Sequence, residues 1–434
     1  TMVALKKTTQ LSYELINPDG KVMTRSQPKD LKNFVLIASL LFMIIGTGSV
    51  YFLVVALKLI STEFQWPRAV PSFAYALQYF GAGFGGVVMG YVLDKFGMWL
   101  PALIGATMIG LGAILTSYVS SPWHLYVIYG VLMGFLGRSA LFSPLTANIT
   151  RWFETNKGKA VGIVGSGQAI SGAIWPPIFQ YCFDLVGWRE TAFWYGVFVL
   201  ISMLPLVLIL RKSPKRSETL PASGTIDDKQ QSNTIIASIG LTPFAMQIIL
   251  SIASIGCCVA MSLPLAHLVA HMSDIGYGAA HGAQLISLML MAAGVSSFFG
   301  VGYLGDKFGG LQALFIFSVI QALFLGVLSV VDSLIAIYAS AILFGIGYGG
   351  ILPCYPLIVR EYLPSKEAGR RTAVVVFCGA AGMALGGWMG GVVFDATGGY
   401  AMAFWIGVGF NLFNLAIVGN LISRNKNRLL AQTH

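Results

Sequence analysis

Twelve stretches of this chain read as long apolar runs, near 33–60, 69–93, 99–118, 123–148, 159–183, 190–210, 243–270, 280–305, 311–331, 334–360, 371–394 and 400–422. Each has roughly 20 residues or more, the length a helix needs to cross about 30 Å of hydrocarbon. The pattern predicts an all-α membrane protein with twelve transmembrane helices. Residues 1–30 are polar and mixed in charge with no apolar core, so they predict a cytoplasmic tail rather than a cleavable signal. The polar stretch 211–239, with Pro and Ser, predicts a flexible cytoplasmic linker between helices 6 and 7. Residues 423–434 predict a second cytoplasmic tail.

Composition sharpens this picture. Of 434 residues only 10% are charged and 56% are hydrophobic, too little polar surface for a soluble protein of this size. The 51 glycines suit helices that pack closely in lipid through small residues. The net charge of +10 raises the question of nucleic acid, and its distribution answers it. With the N-terminus in the cytoplasm, the tails and the loops after helices 2, 4, 6, 8 and 10 hold all but four of the 27 Lys and Arg. The exceptions are Arg68 and Arg189 on the other side and Lys58 and Arg138 within spans. This is the positive-inside distribution, so the basicity sets topology in a plasma or inner membrane and no nucleic acid is expected. The cysteines Cys182, Cys257, Cys258, Cys354 and Cys378 sit in apolar stretches without zinc or disulfide spacing, and the adjacent Cys257 and Cys258 read as packing residues.

The chain also repeats itself. GYVLDKFG at 90–97 recurs as GYLGDKFG at 302–309, and FDLVGWRETAFWYG at 183–196 recurs as FDATGGYAMAFWIG at 394–407. The offsets are 212 and 211 residues, so 31–210 and 240–422 are two copies of one six-helix unit. Two pseudo-symmetric bundles of this kind place a substrate cavity between them near the bilayer midplane and imply alternating access.

The repeated G-x-x-x-D-K-x-G element resembles the loop signature of the major facilitator superfamily. It comprises Gly90, Asp94, Lys95 and Gly97 in one half and Gly302, Asp306, Lys307 and Gly309 in the other. Gly90 and Gly302 permit close helix contact, the aspartates cap helix ends and pair with cations, and Gly97 and Gly309 allow a tight turn. A narrower resemblance is carried by Asn148-Ile-Thr-Arg151-Trp152-Phe153, Lys157-Gly-Lys-Ala-Val-Gly162, the glycines 165, 167 and 172, and LPLAHLVAHMSDIG at 263–276. It is to the monocarboxylate porter and oxalate:formate antiporter branch. That resemblance implies transport of small organic anions, with a proton or by exchange. Where the branch carries a helix 8 arginine this chain has Phe298, and where the oxalate exchanger has a helix 11 lysine it has Gly379. Lys58 lies about a turn from the helix 1 lysine of the animal porters. These departures argue against a small dicarboxylate.

Every acidic residue falls in a tail, a loop or at the end of a span, yet Arg138 falls near the middle of helix 4. A cation at that depth needs a counter-charge or water, and the missing anion is either the substrate or replaced by backbone carbonyls and water. The arginine fork suits a carboxylate, and the role resembles that of helix 4 arginines in other organic-anion carriers of the superfamily. Lys58 either snorkels to headgroups or guides anions. His267 and His271, four residues apart, share a face of helix 7 and are proton-coupling candidates, or interface anchors. Glu361, beside Arg360, is a third coupling candidate or a local ion pair. Tyr51, Gln78, Gln168, Trp175, Tyr348 and Tyr355 lie on helices that line such cavities, and of these Tyr51, Gln168 and Tyr355 join Arg138, Lys58 and His267 as the expected substrate contacts.

No phosphate loop, nucleophile elbow, metal-ligand set or ATP-binding domain is present in the sequence, so an enzyme, a cofactor and a metal are not expected. The expected function is secondary active transport of a small or medium organic anion, foremost a monocarboxylate, by a monomer in the lipid bilayer, proton-coupled or exchanging. The competing reading is an exporter of amphiphilic compounds, favoured by the 12% aromatic content. A transporter-like sensor would need a folded signalling extension.

Overall fold

Helices make up nearly all of the computed structural model, which describes residues 29–153, 157–211, 241–297, 301–364 and 367–431, and no strand occurs among these residues. Most of the expected N-terminal tail, nearly all of the linker, and Phe298 lie outside them. The helices are α1 (Lys29–Phe64), α2 (Ala69–Phe96), α3 (Trp99–Thr116) and α4 (Pro122–Trp152). A helix over Lys157–Leu210 follows, broken by Gly187 at φ 80° into α5 (157–186) and α6 (188–210). The second half comprises α7 (Pro243–Asp274), α8 (two stretches, Ala279–Val295 and Val301–Phe308), α9 (Gly310–Leu328), α10 (Leu334–Tyr362), α11 (Ala368–Thr397) and α12 (Ala401–Ala431). α12 stays helical well past the boundary expected at 422.

Twelve crossings return the chain to the side where it began. The face holding both ends of the described chain is the terminal face, and the opposite one the distal face. Gly97 (φ 83°) and Gly309 (φ 86°), the equivalent ends of the repeated loop element, each make a turn at positive φ that ordinary residues adopt only with strain. Their amides close the turns on Leu93 O and Gly305 O, both at 2.9 Å. Asp94 pairs with Arg151 at the end of α4. Gly90 departs from its expected role, because a Cβ there would meet nothing within 4 Å.

Lipid-facing helices expose apolar side chains, among them Leu111 and Leu115 on α3, Phe198 and Ile201 on α6, and Leu412 and Phe413 on α12. Helices gain little from burying such groups against each other in hydrocarbon, so contact relies on small residues and polar stitches. α11 illustrates the first device. A Cβ on Gly382 or Gly386 would overlap the α7 backbone at Ile255 or Val259, and one on Gly387 or Gly391 would overlap Tyr75 or Ser72 of α2. The repeat reuses the device inside each half. Gly81 and Gly85 seat α2 against α4, and Gly345 and Gly349 of α10 seat against Met289 and Ala293 of α8. The second device joins α9, α12 and α7. Asn411 Nδ2 donates to Ser318 O (2.9 Å) and Gln321 Oε1 (3.1 Å), Asn414 Nδ2 to Ser318 Oγ (3.0 Å), and Gln321 Nε2 to Cys257 O (3.3 Å).

The two halves meet along α2 with α11 and along α5 with α8. These pairs exchange under the repeat, as a pseudo-twofold axis through the molecule requires.

Candidate functional site

Around that axis, α1 is buried on every side over residues 46–57 and α7 over 256–270. A helix enclosed all round lies inside a bundle rather than at its edge. Both segments belong to the distal parts of their helices, so the distal side of the interface is packed shut.

Charges complete the closure. Arg68, at the distal start of α2, sends Nη2 to Asp274 Oδ1 of α7 (3.0 Å) and Nη1 to the Tyr400 hydroxyl at the start of α12 (3.0 Å). Its guanidinium lies 4.5 Å from the Phe394 ring centroid. The backbone amides of Arg68 and Ala69 donate to the two oxygens of Asp395 on α11, each at 2.8 Å. A carboxylate of one half thus caps the α2 N-terminus of the other, where free amides and the helix dipole favour negative charge. Lys58 Nζ completes the set, 2.7 Å from Asp274 Oδ1 and 2.8 Å from Ser273 Oγ. Lys58 is therefore neither a snorkelling lysine nor a free attractant for anions. Its charge is committed to an aspartate of the other half.

The terminal face differs. Arg151 with Asp94, Arg371 with Glu367, and Arg371 Nη1 with Pro243 O (3.2 Å) all stay within one half. Among the described residues no ion pair or side-chain hydrogen bond joins the halves on that face. Glu361 makes no ion pair with Arg360 there. Its two oxygens accept the Gly310 amide at 3.1 Å each, holding the first turn of α9.

Between the faces, α4 changes its winding at Arg138. The helix is α over Pro122–Tyr126, π over Val127–Gly137, 3-10 over Arg138–Ala140 and α again from Phe142. Gly130, Gly134 and Gly137 let α4 lie against α2 and α3 through this stretch. Mid-helix π and 3-10 segments recur at functional sites because they re-aim side chains. The Arg138 guanidinium lies over the Tyr79 ring, 4.0 Å from its centroid. Nη1 is buried and has no hydrogen-bond partner. Every ion pair among the described residues sits at a helix end, so no carboxylate answers this charge. Tyr75 lies tilted against Tyr79, with ring centroids 4.8 Å apart.

A model described as Major Facilitator Superfamily matches residues 37–334 and 248–432, nearly the whole described chain. The chain belongs to the major facilitator superfamily. Among its relatives is monocarboxylate transporter 13 of Bos taurus, 25% identical over 383 residues, covering 86% of this chain and 84% of that protein. Human monocarboxylate transporter 11 is 24% identical over 71% of this chain and 68% of that protein. A Bacillus subtilis MFS-type transporter, YcxA, is 25% identical over 78% of this chain and 82% of that protein. The fold is shared with a mutant form of the nucleoside transporter NupG, at TM-score 0.71 and 13% identity over 90% of this chain and 99% of that one. It is shared too with a bacterial homologue of the lysosomal transporter Spinster, in an inward-facing, unoccupied conformation, at TM-score 0.64 and 15% identity over 93% and 98%. As a superfamily member the chain is a multi-span membrane transporter of small molecules.

The remaining candidates fall at several depths of this transporter. The Tyr51 hydroxyl lies 3.4 Å from Gln168 O and packs where Gly172 lacks a side chain. Gln168 therefore meets Tyr51 through its backbone. Tyr355 is fully buried, its hydroxyl 3.1 Å from Cys257 Sγ, which places it among the packing of α7 and α10 rather than beside Arg138. Gln78 Nε2 donates to Ser49 Oγ (3.2 Å) and Trp175 Nε1 to Ile44 O (2.9 Å). His267 is fully buried, with Nε2 2.7 Å from Gly387 O and its ring stacked 4.9 Å from Tyr400. A carbonyl can only accept, so Nε2 carries the proton and Nδ1 is a buried acceptor without a partner. His271 packs edge-on against Tyr400 and Phe404. Among the described residues no group of three or more His, Cys, Asp or Glu has a metal-holding arrangement, and all five cysteines are free. The side chains of Gly302 and Asp306 fall outside the described ones.

Sequence reasoning missed the distal closure and the tyrosines of α2. Asp395 was visible as the repeat partner of Asp184, but Asp184 bonds Gln180 within α5 while Asp395 crosses to α2. Tyr75 and Tyr79 stand four residues apart, one helical turn, and that spacing beside a mid-membrane arginine was the available signal.

Proposed function

We propose that this protein is a secondary active transporter of an organic monocarboxylate, and that Arg138 binds the carboxylate. The supporting observation is the buried Nη1 of Arg138, deep in α4, with no acceptor and no carboxylate at its depth. A guanidinium there is costly unless an anion completes it. Its planar fork accepts a carboxylate edge-on while Tyr79 covers one face. The other two intramembrane-end cations near the interface, Lys58 and Arg68, are bound to aspartates, which leaves one free positive charge for a singly charged substrate among the described residues.

The two halves are the domains that rock against each other. With the terminal face taken as cytoplasmic, in a plasma or inner membrane, the packed and bonded distal face supports an outward-closed state. His267 is the proton site we favour for coupling. It sits behind Tyr400 and Arg68, so opening of the distal closure would admit water to Nδ1. Substrate exchange without proton movement is the other mode. The expected functional unit is a monomer.

Uptake of labelled organic acids into proteoliposomes, with and without a pH gradient, tests the reading. Accumulation of a monocarboxylate, lost in Arg138→Ala, is the expected result. Transport of uncharged or cationic amphiphiles alone would replace it with an exporter.

A further inference from the structure

The seam between α3 and α6, on the lipid-facing side of the first half, is tight at mid-membrane and open at the terminal face. A Cβ on Gly196 would lie 2.6 Å from Gly110 O, so the two backbones touch there. At 1.5 Å per residue that contact lies roughly 16 Å along α3 from Trp99, about half the hydrocarbon thickness. Towards the terminal face the helices part around a groove of about 660 Å³. Leu103, Leu204 and the buried Val207 line it, and the exposed Trp99, Leu208 and Arg211 edge it. Tryptophan favours the boundary between headgroups and hydrocarbon, so the groove runs inward from headgroup level with a cation at its mouth. Arg211 makes no ion pair with any described residue.

The repeat does not require this groove. At offsets of 212 on α3 and 211 on α6, Trp99, Leu103, Leu208 and Arg211 correspond to Leu311, Phe315, Gly419 and Ile422. Leu311 is buried, and the Phe315 ring fills the seam, 3.5 Å from where a Gly419 Cβ would stand. The second half thus closes with an aromatic side chain what the first half leaves open, and it has an apolar residue where the first has a cation.

We infer that the groove is a binding site for an anionic phospholipid of the terminal-face leaflet, with an acyl chain between α3 and α6 and the headgroup phosphate on Arg211. The guanidinium fork matches a phosphate, and the apolar walls below it have no use for a soluble anion. Basic pockets between transmembrane helices select headgroups of net negative charge, and a zwitterionic headgroup brings its own cation to the same place.

Native mass spectrometry tests this on the full chain, released from bilayers of equal phosphatidylglycerol and phosphatidylcholine with identical acyl chains. Phosphatidylglycerol should be retained about fivefold more often than phosphatidylcholine, the gain expected of one arginine at the membrane surface. Arg211→Gln should bring the ratio near one. Arg370→Gln, which removes an exposed cation elsewhere on the terminal face, should leave it unchanged. Leu103→Phe, which copies the filling of the second half, should lower retention of both lipids several-fold. Equal retention of the two lipids by the unaltered protein would overturn the inference. So would a preference that survives Arg211→Gln, or retention that Leu103→Phe leaves untouched. A dimer that disappears in Leu103→Phe, with no lipid retained, would assign the groove to a second copy of the chain instead. The first comparison uses the unaltered protein, so it does not depend on how any variant folds.

Discussion

Replacing Arg68 with Ala should open the distal face. The residue, 7% exposed, supplies a charge-assisted hydrogen bond to Asp274, a second to the Tyr400 hydroxyl and a cation held over Phe394. Removing the ion-paired bond to Asp274 and the charge-assisted bond to the Tyr400 hydroxyl, with Lys58 still holding Asp274, should cost the closed state about 2–4 kcal/mol. The amides of Arg68 and Ala69 stay on Asp395, so the loss is confined to the side chain. That cost shifts the closed-to-open ratio by about 30-fold to 1,000-fold. Spin labels at Leu59 and Ile275, both 39% exposed on the distal ends of α1 and α7, report the separation of the halves. Double electron–electron resonance should show the short distance dominant in the unaltered protein and a longer one dominant in Arg68→Ala. An unchanged distance distribution would refute the assignment of this cluster as the closure and leave packing of α1 and α7 as its cause.

His267→Gln should change the pH dependence of transport more than Glu361→Gln, because Gln keeps a donor for Gly387 O but lacks the protonatable Nδ1, whereas Glu361 serves the α9 turn. Proteoliposome uptake across a pH series checks this, and an unaltered His267→Gln profile removes histidine from the coupling. Gly349→Ala should destabilise the fold by about 1–3 kcal/mol, since its Cβ would overlap the Ala293 carbonyl, and thermal unfolding in detergent should show a lower midpoint. Cysteines at Ser120 and Ser423 should label with an impermeant maleimide from opposite sides of the membrane, Ser120 outside and Ser423 inside. Same-side labelling would break the even number of crossings.

The architecture was legible because lipid writes it into local pattern. An apolar run of a given length spans the bilayer whatever its neighbours are, and the repeated loop element carries its own turn glycines at Gly97 and Gly309. Arg138 stood out for the same reason, as a charge where the solvent tolerates none. Partnerships across the halves were not legible. Lys58 and Asp274 stand far apart in the chain, and neither has a local feature that names the other. The aspartate of one repeat bonds within its own helix while its counterpart caps a helix of the other half, so symmetry in sequence did not translate into symmetry of contact. Gly90 shows the reverse case. A residue that the repeat marks as a close contact stands in open space, with nothing for a Cβ to meet within 4 Å.

The central claim is that the charge of Arg138 is completed by substrate, and direct binding tests it most closely. The affinity of the transported acid is measured for the purified protein and for Arg138→Ala and Arg138→Lys, each checked for folding by thermal stability. Loss of one charge-assisted contact in a desolvated site should weaken binding by roughly 2–5 kcal/mol, or about 30-fold to several thousand-fold, in Arg138→Ala. Arg138→Lys should recover only part of it, because an ammonium keeps the charge and loses the fork. Near-unaltered affinity in a well-folded Arg138→Ala protein would contradict the account.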